Sequence, residues 1–225
     1  MKEFKQRSSM SGKLLTATGK ISKGETTKTY IKEWFISEMT GKRKVIDSKY
    51  LRRGIAAEDL SIERISKTLG IEAKKNDKKF ENDFFTGEPD IITDDTVIDA
   101  KSSWNCFTFP YFMKEPPKDY VAQLQVYMAL TGLRNAKLIY CLENGTDEQI
   151  NQLAWQKAKE VGADEPTIEH WDEAEADLNY DHLPNHLRIK IFDIPYDEEM
   201  IDNLKSGVIS AREYIEDELM PIINK

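Results

Sequence analysis

Two aspartates and a lysine stand out in the stretch from Gly87 to Trp104, GEPDIITDDTVIDAKSSW. The runs PDIIT and TVIDAK are short and β-branched, and Asp94-Asp95 divides them, which is the pattern of a β-hairpin. A two-residue turn brings Asp90 close to Asp99. Asp99 and Lys101 are two residues apart and project from one face of their strand. Two carboxylates and an ammonium then converge at one sheet edge. Paired carboxylates repel each other, but with a hard divalent cation they become an oxygen-ligand site. The backbone carbonyl of Ala100 can add a further oxygen. A lysine beside such an ion can orient or deprotonate a water, or offset charge on a pentacovalent phosphorane. The plainer alternative is an exposed hairpin face carrying a salt bridge, because Asp-x-Lys alone is common. Val97, Ile98 and Ala100 read as buried, however, and charges inside paired core strands are costly unless matched.

The elements that must position these residues follow from periodicity and punctuation. Ile31, Trp34, Phe35 and Met39 fall at helical spacing over 28–39, and Gly41 stops the helix. A second helix is predicted over 49–69, with Leu51, Ile55, Leu60, Ile62, Ile65 and Leu69 as apolar positions and Gly70 at its end. Residues 74–83 form a charged turn region. After the hairpin, Pro110, Pro116 and Pro117 mark a loop. Asp119 is the expected cap of a helix over 120–131, closed by Gly132. A buried strand over 136–142 follows, then a helix over 146–161 capped by Thr146. Residues 162–186 read as an acidic insertion with one short helix. A strand over 187–194 and an amphipathic helix over 197–219 complete the chain. This order predicts an α/β fold with a mixed central sheet flanked by helices. The domain reading is a basic, loose or partly ordered arm over 1–27 and a single domain over 28–225.

Composition narrows the function classes. At 225 residues the chain can bury a core without staples. No stretch approaches the roughly 20 apolar residues of a membrane span, and the start of the chain has no apolar signal region. Cytoplasm is the expected location, the bacterial host's if the gene is a phage's. Cys106 and Cys141 are the only cysteines, too few for a Cys₄ iron–sulfur cluster. Net charge is −8, yet residues 1–53 hold 14 Lys+Arg against 5 Asp+Glu, and the remainder holds 18 against 35. A basic leader on an acidic body suits a protein that meets a polyanion with one face.

Pro89-Asp90, eight residues, then Asp99-Ala100-Lys101 resembles the PD-(D/E)XK nuclease superfamily. Arg53-Gly54-x-x-x-Glu58 is similar to the R-G-x-x-x-E helix of lambda-type phage exonucleases, the YqaJ viral recombinase family. Gln123-Leu-Gln-Val-Tyr127 resembles the Q-x-x-x-Y motif of the RecB-like branch. The likeness spans roughly residues 49–132. It implies a restriction-endonuclease-like fold. It also implies that Asp90, Asp99 and the Ala100 carbonyl bind Mg²⁺ or Mn²⁺, with Glu58 reaching the ion directly or through water. Lys101 would position the attacking water. Gln123 would hold the lysine or a DNA phosphate, and Tyr127 would support the site or the strand. The relatives form rings around DNA and work with single-strand annealing proteins, so self-association and such a partner are expectations too.

Residues near this constellation are candidates for DNA contact. Arg52 and Arg53 close a basic run with Lys42, Arg43, Lys44 and Lys49, and can meet phosphates or a DNA 5′ end. Ser102, Ser103 and Trp104 follow the lysine, and Trp104, Phe107 and Phe109 can stack on bases or pack as an aromatic cluster. The expectation from sequence is a metal-dependent deoxyribonuclease, an exonuclease for recombination or DNA processing. An endonuclease on the same fold and a non-catalytic DNA-binding module are the alternatives.

Overall fold

The computed structural model of the chain describes residues 2–16, 22–45 and 47–224. Its elements run β1 (Gln6–Arg7), a 3-10 turn (Ser8–Leu14), α1 (Glu25–Thr40), α2 (Lys49–Ala56), α3 (Glu58–Leu69), β2 (Phe80–Glu81), β3 (Phe85–Gly87), β4 (Ile91–Ile92) and β5 (Thr96–Ser102). Then come α4 (Lys118–Thr131), β6 (Asn135–Cys141), α5 (Asp147–Glu160), α6 (Ile168–Asp177), a 3-10 turn (Asn185–Leu187), β7 (Ile189–Pro195) and α7 (Glu198–Tyr214). A π-helical turn (Ile215–Leu219) and α8 (Met220–Ile223) follow. The expected mixed α/β architecture is present, in two sheets. The larger has the order β4-β5-β6-β7, with β5 and β6 parallel and the outer pairings antiparallel. The smaller, β1-β3-β2, has no counterpart in the sequence reading.

The predicted hairpin is β4 and β5. Ile91 pairs with Ile98 and Ile92 with Val97, so Asp94-Asp95 is the turn. Thr93 N donates to the Thr96 carbonyl at 2.9 Å and closes it. Successive β5 side chains alternate between two helical layers. Ile98 joins Ile62 and Ile65 of α3, whereas Val97 joins Leu124 and Met128 of α4. Asp99 and Lys101 share the face of Val97 and therefore look toward α4. That helix is buried at seven successive positions, Ala122–Met128, because it lies between two layers. Leu124 and Met128 meet the large sheet, and Val126 meets Phe4, Phe35, Phe85 and Val208 beyond it.

Three elements depart from their sequence boundaries. The single helix expected over 49–69 is two, broken at the fully buried Ala57. Leu51, Ile55 and Leu60 are exposed, whereas Ile62 and Ile65 are buried, so α2 and α3 do not share one inward stripe. Asp119 lies inside the first turn of α4, and Pro117 occupies the cap. Pro suits this place because the first-turn amides lack helical partners in any case. The last predicted helix changes to a π turn at residue 215, which lets Ile215 and Leu219 both reach the core. The other caps are as read, including the reciprocal capping box of Thr146 and Gln149.

The largest difference concerns the leading arm. Residues 17–21 lie outside the described residues, but residues 2–16 are built into the fold. Gln6 N donates to the Phe84 carbonyl at 2.8 Å, and β1 pairs in parallel with β3. Phe4 is buried edge-on to Trp34, with centroids 5.0 Å apart. Arg212 of α7 donates through Nε to the Phe4 carbonyl and pairs with Glu3. Phe4→Ala should therefore cost about 3–5 kcal/mol, as for other buried phenylalanines. Urea unfolding should show a lower midpoint at unchanged slope. A change under 1 kcal/mol would contradict the ordered arm.

Candidate active site

Beyond Ile98 the neighbouring strand β4 has ended, so the edge of β5 is open at Ala100. The Asp90 carboxylate takes that place. Its Oδ2 accepts the Ala100 amide at 2.8 Å. In an extended strand the amide and carbonyl of one residue face the same edge. The Ala100 carbonyl therefore looks toward Asp90 as well. Segment 75–76 holds Asp90 from behind. Asn76 N donates to the Asp90 carbonyl at 2.8 Å, and Asn76 Nδ2 donates to the Pro89 carbonyl at 2.9 Å.

Asp99 is 1% exposed and is held from two sides. Gln123 Nε2 donates to its Oδ1 at 3.0 Å, and Lys101 Nζ lies 2.6 Å from its Oδ2. That ammonium is the close partner of Oδ2, an oxygen otherwise shut away from solvent. Lys101 also lies 4.9 Å from the Tyr120 ring centroid. Gln123 spends its second amide hydrogen on Tyr127 Oη, at 2.9 Å. Both residues lie on one face of α4, four apart.

This chain of support runs to the N-terminal turn. Ser8 stands beside Tyr127, close enough to pull its pKa down against burial. The approach needs a residue without a Cβ at Gly87, where a methyl would stand 2.6 Å from Ser8 Oγ and 2.9 Å from Tyr127 Cε1. Ser8 and Gly87 are site supports that sequence reasoning missed. Their only signal is the position of Gly87 three residues before Asp90.

The charges are imperfectly balanced. Burial, then the neighbouring Asp99, push Asp90 up to about 7, against the pull of Lys101 and the Ala100 amide. Burial raises Asp99 too, with Lys101 opposing. Burial lowers Lys101, but Asp99 and Asp90 together outweigh it, and its ammonium is held above the usual lysine range. Burial pushes Tyr127 up to about 12, so it serves as a neutral prop.

Asp90, Asp99, Ala100, Lys101, Gln123 and Tyr127 thus converge. Gln123 reaches Asp99 and not Lys101. Glu58 stands at the first turn of α3, close enough to Asp90 to raise its pKa, but its Oε2 pairs with Lys75 Nζ at 2.6 Å. Among the described residues no three acids are gathered closely enough to form a ready metal cage. The donors that do fit a hard cation are the carboxylates of Asp90 and Asp99 and the Ala100 carbonyl, all oxygen.

The residues proposed for DNA contact are more dispersed. Arg52 is exposed and pairs with Asp47 and with Glu148 of α5, the latter at 2.8 Å. Arg53 is buried and donates from Nη2 to the Glu143 carbonyl at 2.8 Å, so it ties α2 to the end of β6 and presents no open face. Ser102 looks to the α3 layer and hydrogen-bonds Ser61 Oγ at 2.9 Å. Ser103 is buried, and its amide donates to the Cys141 carbonyl. Trp104 meets Tyr50 edge-on at 5.3 Å, with Lys49 Nζ 4.9 Å from its ring centroid.

Solved structures of exonucleases share this fold. One is a phage-related exonuclease from Haemophilus somnus 129PT, with a TM-score of 0.76 at 24% identity over 98% of this chain and 97% of that one. Another is an alkaline exonuclease from Laribacter hongkongensis, with a TM-score of 0.68 at 16% identity over 98% and 92% of the two chains. The latter enzyme in complex with dAMP gives 0.68 at 18% identity over 97% and 91%. No family model and no curated protein matches the sequence. No helix of the described residues is long and apolar enough to cross a membrane.

The raised Asp90 has a thermodynamic consequence. A carboxyl near 4 in the unfolded chain and near 7 in the native one binds more protons when folded. Without divalent ions its contribution to stability is therefore present below pH 4 and is lost as pH rises toward 7. Asp90→Asn should melt higher than the parent at pH 8 in EDTA, by about 2–4 °C for each kcal/mol of repulsion removed. The gain should vanish near pH 4. Equal melting temperatures at pH 8 would contradict the strained pair.

Proposed function

We propose that this chain is a metal-dependent deoxyribonuclease, an exonuclease of the phage type acting in recombination or DNA processing. The observation that carries this reading is the pinned pair of aspartates, Asp90 on the Ala100 amide and Asp99 between Gln123 and Lys101. The likeness of the whole fold to exonucleases supports it.

Asp90, Asp99 and the Ala100 carbonyl would hold Mg²⁺ or Mn²⁺, with Glu58 joining directly or through water on leaving Lys75. Such an ion supplies charge neutralisation at the phosphate and acidifies water. The chain's own residues do the rest. Lys101 keeps its proton beside two carboxylates, so it acts as a donor that orients the attacking water and stabilises phosphorane charge. Gln123 fixes the Asp99 carboxylate, and Tyr127 fixes Gln123. The hydroxyl of Ser102 is turned to Ser61. The proposed reaction is hydrolysis by water without a covalent enzyme intermediate.

DNA is the proposed substrate. The dAMP bound by one similar exonuclease supports a deoxynucleotide strand here. Self-association and a single-strand annealing protein as partner belong to the same reading. A digestion assay on linear duplex, single strand and closed circular DNA tests it. Linear DNA alone should be lost with Mg²⁺. EDTA should abolish the loss, and Lys101→Ala should slow it by about 10²–10³-fold, as for other donors at developing charge. Cutting of the circle would assign an endonuclease. No cutting of any substrate with Mg²⁺ or Mn²⁺ would overturn the enzyme reading.

A further inference from the structure

The loop between β5 and α4 carries two phenylalanines in an unusual state. Phe107 is 94% exposed and Phe112 is 95% exposed. Leaving a phenylalanine in water forgoes about 1.5–3 kcal/mol of burial. The loop that displays them is tied down. Asn105 Oδ1 accepts the amides of Phe107 and Thr108, both at 3.1 Å, and Thr108 Oγ1 donates to the Asn105 carbonyl at 2.9 Å. Cys106 N donates to Tyr180 Oη at 3.3 Å. Phe109, between the two exposed rings in sequence, is buried with Leu142 and Tyr180 and anchors the loop. Two hydrophobic rings are thus fixed outward while a third is used to hold the loop down.

An aromatic path joins this loop to the candidate active site. Lys101 Nζ lies over the Tyr120 ring, and Tyr120 stands 6.3 Å from Tyr140, the register partner of Lys101 on β6. Tyr140 and Tyr111 pack against the same Phe109 cluster, and Tyr111 is 6.4 Å from Phe112. Cations flank the path at Lys49, over Trp104, and at the exposed Lys114. Exposed rings bordered by lysines and continuous with a phosphodiester site suit a strand whose bases are unstacked from their complement. The ring faces take the bases and the lysines take the phosphates. Inside a duplex each base face is covered by its stacked neighbour and closed to such a surface.

We infer that this loop is a stacking platform for unpaired nucleobases, with Phe107 and Phe112 as the rings that receive them; the inference rests on the nuclease reading and assigns that site a single-stranded segment of its substrate. Binding measured in EDTA by anisotropy of a labelled oligo(dT) and of a blunt duplex tests it without needing cleavage. Phe107→Ala and Phe112→Ala should each weaken oligo(dT) binding by about 5- to 100-fold, the range of one base–aromatic stack. Blunt duplex binding should change less than twofold. Tryptophan at either position should restore oligo(dT) binding, and leucine should not.

An equal loss for duplex and single strand, or restoration by leucine, would overturn the inference. So would unchanged oligo(dT) binding with altered self-association on a sizing column, which would assign the rings to a protein contact. Phenylalanine-dependent oligo(dT) binding in a protein that digests nothing would keep the platform and reject the enzyme.

Discussion

The close approach of Asp90 and Asp99 is the constraint around which the molecule is arranged. A buried carboxylate and a half-buried one at one strand edge repel, and the apolar side chains around them do not relieve the charge. The fold answers with single, directed contacts: the Ala100 amide for Asp90, the Gln123 amide for Asp99, and one ammonium beside both. Removing either partner of such a buried set leaves an uncompensated charge, which is why the arrangement is informative about function more than about stability. Oxygen donors gathered at one strand edge are what a hard cation would complete.

Holding that arrangement recruits distant parts of the chain. Gln123 is aimed by Tyr127, and Ser8 and Tyr127 both close on residue 87, where only glycine leaves them room. The N-terminal turn packs broadly on α4, and β1 adds to β3 immediately ahead of the Asp90 loop. On the opposite side, α3 delivers Glu58 and segment 75–76 clasps the Asp90 backbone. The pairing of Glu58 with Lys75 places the third acid in reserve, near enough to act on Asp90 electrostatically but engaged elsewhere.

The hairpin was legible because its signals are local. Strand alternation, a two-residue acidic turn and the spacing of Asp99 and Lys101 need no distant contact to interpret. The four-residue spacing of Gln123 and Tyr127 was equally readable as one helical face. What escaped depends on long-range packing. Phe4 and Leu14 sit in a stretch of serine, glycine and lysine with no period, so its order comes from α1, β3 and α7. Leu51 and Ile55 gave α2 an apolar stripe that the structure turns outward, while Arg53, read as a phosphate ligand, is the residue that goes in. The helix break at Ala57 follows from that rotation. Asp119 looked like a cap, but a proline two residues earlier already occupies that position. The mixed α/β fold itself was visible in the order of elements, and the small second sheet was not, because its strands are only two or three residues long.

Direct Mn²⁺ binding, followed by electron paramagnetic resonance, tests whether the aspartate pair is a divalent-cation site. The parent protein should remove free Mn²⁺ from solution at up to millimolar concentration, with proton release on binding near pH 7, because Asp90 must give up its proton. Asp99→Asn should abolish both the uptake and the proton release. Uptake that is absent in the parent, or identical in Asp99→Asn, would mean that the aspartate pair holds no cation.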